Sequence, residues 1–163
     1  LREFVWATDL PDLSYLRIIS WHAGDHTPTW CMVVAVKVLI FGSREWLSPG
    51  PIRTVLQQLP PDSIVVAGAC RGADNIAAHE ARKLGLRVRE YPADWDRFNL
   101  DAGPMRNQQM LDEEHPDQEG VHIDRAYCFH RQTGLGKGSR DMAERVRKAT
   151  PTILLNITCK VRG

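Results

Sequence analysis

A chain of 163 residues suits one domain and leaves little room for two. Hydrophobic residues at 43% and charged residues at 25% match globular averages and argue against a disordered or fibrous protein. Lysine and arginine number 21 against 20 acidic residues, a net charge of +1, so there is no basic excess of the kind that binds nucleic acid through its phosphates.

The first 31 residues carry Trp6, Trp21 and Trp30, yet show no sustained period of two or 3.6. Pro11, Gly24 and Pro28 interrupt them further. Two readings stay open: an N-terminal extension over 1–31 before a functional domain over 32–163, or an arm that packs on the domain or on a neighbouring subunit. Three tryptophans are much apolar surface to leave in water. The segment lacks a basic region followed by an unbroken apolar core, so no secretory signal is expected. No apolar stretch approaches the roughly 18 to 20 residues that a membrane span needs.

From Met32 onward strands and helices alternate. An apolar run predicts a strand over 33–41. Ile52, Val55, Leu56 and Leu59 share one helical face over 49–59, and Pro60 and Pro61 end it. A buried strand over 63–67 follows, then an alanine-rich helix over 73–84 closed by Gly85. Residues 86–91 read as an edge strand, because Arg87 and Arg89 alternate with apolar neighbours. Beyond a long loop the pattern gives a helix over 105–114, a strand over 125–129, a helix over 139–149 and a strand over 152–156. This order implies βαβ units: an α/β, Rossmann-like three-layer sandwich around a mostly parallel sheet. Such sheets bind ligands outside the carboxyl ends of their strands.

Three strand-to-helix junctions fall at that edge. They are Gly42-Ser43-Arg44, the run from Gly68 through Arg71, Gly72 and Ala73 to Asp74, and the run from Gly134 through Gly136, Lys137 and Gly138 to Ser139. Glycines let backbone N–H groups approach a ligand, and helix N-termini offer unpaired donors and partial positive charge. Together with Arg44, Arg71 and Lys137 they predict an anion site, with phosphate as the natural guest. The third run is no Walker A loop, since Gly138 follows Lys137, and it does not meet the dinucleotide fingerprint. In the long loop, Asp94 is a candidate for sugar hydroxyls and Trp95 for base stacking, although a packing role for Trp95 is equally simple. Arg106 stands near a helix start, where a cation opposes the dipole. A ligand anion or a carboxylate would explain it.

The four cysteines, Cys31, Cys70, Cys128 and Cys159, have neither metal nor redox spacing, so reduced thiols and a cytoplasmic location are expected. His115, His122 and His130 lack ligand spacing. Neither a metal nor a cofactor is expected.

Four strings carry a family resemblance: residues 38–46, 66–74, 91–95 and 102–107. In order and spacing they are similar to the YspA/YpsA-type branch of the SLOG superfamily, whose members occur in bacteria and their phages. The resemblance implies a Rossmann-like fold, a nucleotide or nucleotide-derived ligand held in a sensor or binding module, and a homo-oligomer. It leaves two alternatives open. One is a LOG-like hydrolase releasing the base from nucleoside 5′-monophosphates; the weaker is a DprA-like binder of single-stranded DNA. By that likeness Arg106, Asn107 and Met110 correspond to the Arg-Lys-x-x-Met motif of LOG enzymes, whose arginine serves the active site, and Ser139 to their glycine-loop threonine. Their catalytic glutamate falls at Met142. Asp141, one residue early and about 100° around the helix, or Asp94 would have to replace it. A carboxylate restored at Met142 is then expected to raise base release.

Overall fold

The computed structural model describes residues 16–18, 32–115, 122–130 and 135–159. Seven strands and five α-helices alternate within them: β1 (Leu16–Ile18), β2 (Met32–Val34), β3 (Lys37–Gly42), α1 (Pro49–Leu56), β4 (Ile64–Ala67), α2 (Ala73–Lys83), β5 (Arg87–Glu90), α3 (Trp95–Phe98), α4 (Ala102–Glu114), β6 (Arg125–His130), α5 (Lys137–Lys148) and β7 (Leu154–Cys159). A 3₁₀ turn, Asn99–Asp101, joins α3 to α4.

Five strands form one sheet in the order β5-β4-β3-β6-β7, and every pairing in it is parallel. The core reads directly from the two-residue period of β3. Val38 and Ile40 point to one face, where Ile52 and Leu56 of α1 and Ala73, Ala77 and Ala81 of α2 cover them. Leu39 and Phe41 point to the other, against Met110 and Leu111 of α4 and Met142, Ala143 and Val146 of α5. These are the three layers expected of an α/β sandwich. The chain leaves β3 toward one face and β6 toward the other, so a topological switch point opens between these adjacent strands.

Three boundaries differ from the sequence reading. The strand expected over 33–41 is two strands: β2 pairs antiparallel with β1, Leu16 opposite Val34, and only β3 enters the main sheet. An unbroken apolar run cannot mark where a chain passes from one ladder to another. Helix α4 begins at Ala102, three residues early, because Pro104 sits in the first turn, where its missing N–H costs nothing. Strand β7 runs on to Cys159; at the sheet margin Asn156 and Thr158 stay exposed and read as loop. Tryptophans 6, 21 and 30, Cys31 and Gly134 lie outside the described residues.

At the amino edge of the sheet a buried charge network fixes the far end of α4. Glu114, fully buried, accepts from Lys37 Nζ at 2.8 Å, Arg89 at 2.8 Å and the Tyr91 hydroxyl at 2.6 Å. Burial opposes its ionised form, yet the bonds from Lys37, Tyr91 and Arg89 hold its carboxyl below the usual value. Among the described residues no helix is long and apolar enough to cross a membrane.

Candidate functional site

The carboxyl ends of β3, β4 and β6 bring the three glycine junctions to one edge, but the three are built differently. At β3 the donors are already used. Ser43 N–H extends the ladder to the Phe129 carbonyl at 2.8 Å, and Trp46 and Ala73 donate to the Ser43 carbonyl at 3.1 and 3.2 Å. Glu45 N–H donates to the Ser43 hydroxyl at 3.1 Å. Gly42 is glycine for packing, since a Cβ there would stand 2.1 Å from the Phe129 carbonyl oxygen.

The β4 junction is filled from within. Asp74, in the first turn of α2 and 4% exposed, places its carboxylate beneath the Gly68–Gly72 loop. Burial raises this carboxyl to about 6, against the opposing pull of Arg106 and of the N–H groups of Cys70, Gly68 and Gly42. Those N–H groups and that guanidinium are donors a phosphate would otherwise meet. Gly72, at φ +85°, supports the same arrangement, because a Cβ would lie 2.3 Å from the Ser43 carbonyl oxygen. Arg71 swings outward to Glu45 at 2.8 Å; exposed on both sides, that pair contributes little.

Arg106 reaches this junction from α4. Its guanidinium donates to the Gly68 carbonyl, contacts Cys70 Sγ at 3.7 Å and stands 3.8 Å from Asp74. Its Nε is buried with no hydrogen-bond partner among the described residues. The cation near a helix start thus answers to an internal carboxylate. Asn107, the next residue and 3% exposed, turns to the third junction, donating to the Gly138 carbonyl at 3.3 Å and to Asp141 at 2.9 Å.

At the third junction, between β6 and α5, the described residues resume at Leu135. Gly136 caps α5 and donates its N–H to His130 Nε2 at 3.0 Å. Among the described residues nothing accepts from the N–H groups of Lys137, Gly138 or Ser139. Among the described residues no atom lies within 4 Å of a Cβ built on Gly138. Ser139, in the first turn of α5, is 9% exposed. Three amides, a hydroxyl and the Lys137 ammonium at the positive end of a twelve-residue helix can take one anionic group.

The remaining candidates frame this edge or leave it. Arg44 lies over the Trp95 ring, 5.4 Å from its centroid, and Trp95 is 43% exposed, so the pair forms a flat cationic and aromatic rim. Asp94 caps α3, accepting from Arg97 N–H at 3.1 Å. Asp141 faces α4: burial tends to raise its carboxyl, but the bonds from Arg145 and Asn107 hold it below the usual value. It lines a groove of about 640 Å³ between α4 and α5, shared with Gln108, His115, Glu144 and Arg145, that includes no other junction residue. Met142 is 1% exposed and part of the core. Sequence reasoning noted only that His130 lacks metal-ligand spacing; its place at the end of an inner strand, six residues before a helix cap, was the available signal. Among the described residues no group of three or more histidines, cysteines or carboxylates could hold a metal.

Similarity to known proteins follows these features. The model of the YspA, cpYpsA-related SLOG family matches residues 36–98, which include the β3 and β4 junctions. The gene 61 protein of Mycobacterium phage D29 is 30% identical over 122 residues, covering 69% of this chain and 90% of that protein. Among solved structures, DNA processing protein A (DprA) from Streptococcus pneumoniae aligns with a TM-score of 0.44 at 14% identity, over 75% of this chain; the chain spans 58% of that one.

Proposed function

The chain belongs to the YspA, cpYpsA-related SLOG family, and from that premise we propose that it binds a nucleotide or nucleotide-derived small molecule at the carboxyl edge of its sheet. The observation that carries this reading is the set of amides at Lys137, Gly138 and Ser139, without an acceptor among the described residues, beside the β3/β6 switch point. A phosphoryl group would sit there, held by those amides, Ser139 and Lys137. The sugar and base would extend toward Asp94 and the Arg44–Trp95 rim, where a base can stack on the exposed part of the indole. Ser43, Gly42, Gly68, Arg71, Gly72, Ala73 and Asp74 shape the floor of the site, and Arg106 and Asn107 hold its two sides from α4. The domain that does this is the one over 32–163, and its free thiols Cys70, Cys128 and Cys159 suit a reducing cytoplasm.

Binding without base release fits the site better than hydrolysis. The position of the LOG glutamate is a core methionine, and Asp141 is committed to Asn107 and Arg145. The test is a thermal-shift series with nucleoside monophosphates, their parent nucleosides and single-stranded DNA, on the unaltered protein and on Gly138→Val. A nucleotide at 100 times its dissociation constant stabilises by about 2.7 kcal/mol. Gly138→Val should lose that shift and keep the unliganded melting point. Equal shifts from nucleosides would remove the phosphate from the reading. Free base accumulating with the unaltered protein, and not with Asp141→Asn or Asp94→Asn, would make the protein an enzyme.

A further inference from the structure

Strand β7 is one margin of the main sheet, and its backbone faces two ways. Leu154 N–H donates to the Asp124 carbonyl before β6 at 3.4 Å, and in a parallel ladder the bonding direction alternates residue by residue. Leu154, Asn156 and Thr158 therefore direct their N–H and C=O groups to β6, in the register that sets Leu154 opposite Arg125 and Thr158 opposite Phe129. Leu155, Ile157 and Cys159 turn theirs outward, where no strand pairs with them among the described residues. Such a row of donors and acceptors is a template for another strand. The two margins of the sheet are not alike. At the other one β5 reads Arg87-Val88-Arg89-Glu90, and three charges in four residues guard it against a second strand. Strand β7 reads Leu-Leu-Asn-Ile-Thr-Cys over 154–159, with neither a charge nor a proline. Leu154 is 59% and Ile157 41% exposed, so apolar side chains meet water there as well. A copy of β7 laid along this edge would bring no like charges together.

We propose that two copies of the chain join at this edge, β7 pairing antiparallel with β7 of the partner about a twofold axis at Ile157, so that one sheet runs through both. Parity fixes the axis. Antiparallel strands bond through residues that both face the seam, and only an axis through Ile157 engages Leu155, Ile157 and Cys159 together. Ile157 then lies opposite its own copy, and Leu155 opposite the partner's Cys159, on the face that α4 and α5 cover. On the other face Asn156 lies opposite the partner's Thr158, a neutral pair able to hydrogen-bond across the strands. The contact is isologous and closed, since each chain covers the exposed edge of the other and leaves no β7 edge for a third copy. It is independent of any ligand at the carboxyl edge.

Sedimentation equilibrium of the full chain should give twice its mass of 18.5 kDa, and Ile157→Pro and Ile157→Lys should shift it toward the single chain. Proline removes the outward N–H at the axis, and because that N–H makes no bond to β6 the strand keeps its place in the sheet. The twofold axis removes this donor twice, so self-association should weaken about thirtyfold or more. Lysine leaves the backbone intact and sets like charges opposite each other across the seam. Dissociation of Ile157→Lys with an unchanged circular dichroism spectrum separates the loss of the seam from a misfolded strand. Amide hydrogen exchange locates the contact: the N–H groups of Leu155 and Cys159 should be protected in the dimer and exchange freely in Ile157→Lys. A single-chain mass at every protein concentration would overturn the proposal, as would a dimer that survives Ile157→Lys or whose outward amides exchange freely. Protection of those amides in a single chain would assign the edge to another segment of the same chain and overturn it equally.

Discussion

Asp74→Asn tests the reading of the β4 junction, because it keeps the shape of the side chain and removes its titration. The carboxyl stands at about 6 in the fold against an ordinary 3.8, a gap worth roughly 3 kcal/mol at 1.36 kcal/mol per pH unit. Folding takes up a proton between those two values. Asp74 therefore favours the native state fully below about pH 4, loses that contribution as pH rises toward 6, and above it bears the cost of a buried carboxylate. Urea unfolding of both proteins at steps from about pH 4 to 8 isolates the effect, since all other groups cancel in the difference. The stability of the unaltered chain relative to Asp74→Asn should fall by roughly 3 kcal/mol between pH 4 and 7. A relative stability that rises with pH would mean that Arg106 and the three N–H groups outweigh burial, and would refute the reasoning.

Gly72→Val should lower the melting point without any ligand, by about 2 kcal/mol or more, because the residue sits at φ +85° against the Ser43 carbonyl; unchanged melting would place the glycine in ligand contact alone. Met142→Glu should cost about 3 kcal/mol or more in urea unfolding and gain no base release, contrary to what the family likeness suggests, since the side chain is 1% exposed. A chain beginning at Met32 should be soluble and unfold cooperatively by circular dichroism, because the main sheet takes all its pairings from residue 37 onward; insolubility would assign the preceding tryptophans to the core.

The layered fold was legible because its signals are periodic. The apolar runs of β3 and β4 and the helical faces of α1 and α2 each require a buried partner, and alternation leaves one architecture to supply it. The element ends were less legible, since Gly103 and Pro104 carry loop chemistry into a helix and an exposed margin strand is written in polar residues. The site was legible as a set of loops and not as a division of labour. Sequence cannot tell a glycine that admits a ligand from one that admits a neighbouring strand, so Gly42, Gly68 and Gly138 looked alike. Asp74 did carry a signal, an acidic residue in the first turn of a helix, which points to a resident carboxylate as readily as to a guest. Hydrogen bonds over long separations, such as Asn107 to the Gly138 carbonyl, leave no local trace.

The two ends of α4 are pinned to different strands, and this gives the helix a mechanical character. Glu114 anchors one end on Lys37 and Arg89, while Arg106 and Asn107, about 12 Å away along the axis, grip the β4 loop and the start of α5. A stiff rod fixed at one end and holding two loops near the other transmits tilt to both at once. Substitutions at Glu114, remote from any ligand, would therefore shift the β4 and α5 junctions in concert. Adjusting one junction without disturbing the other requires changes in the loops themselves.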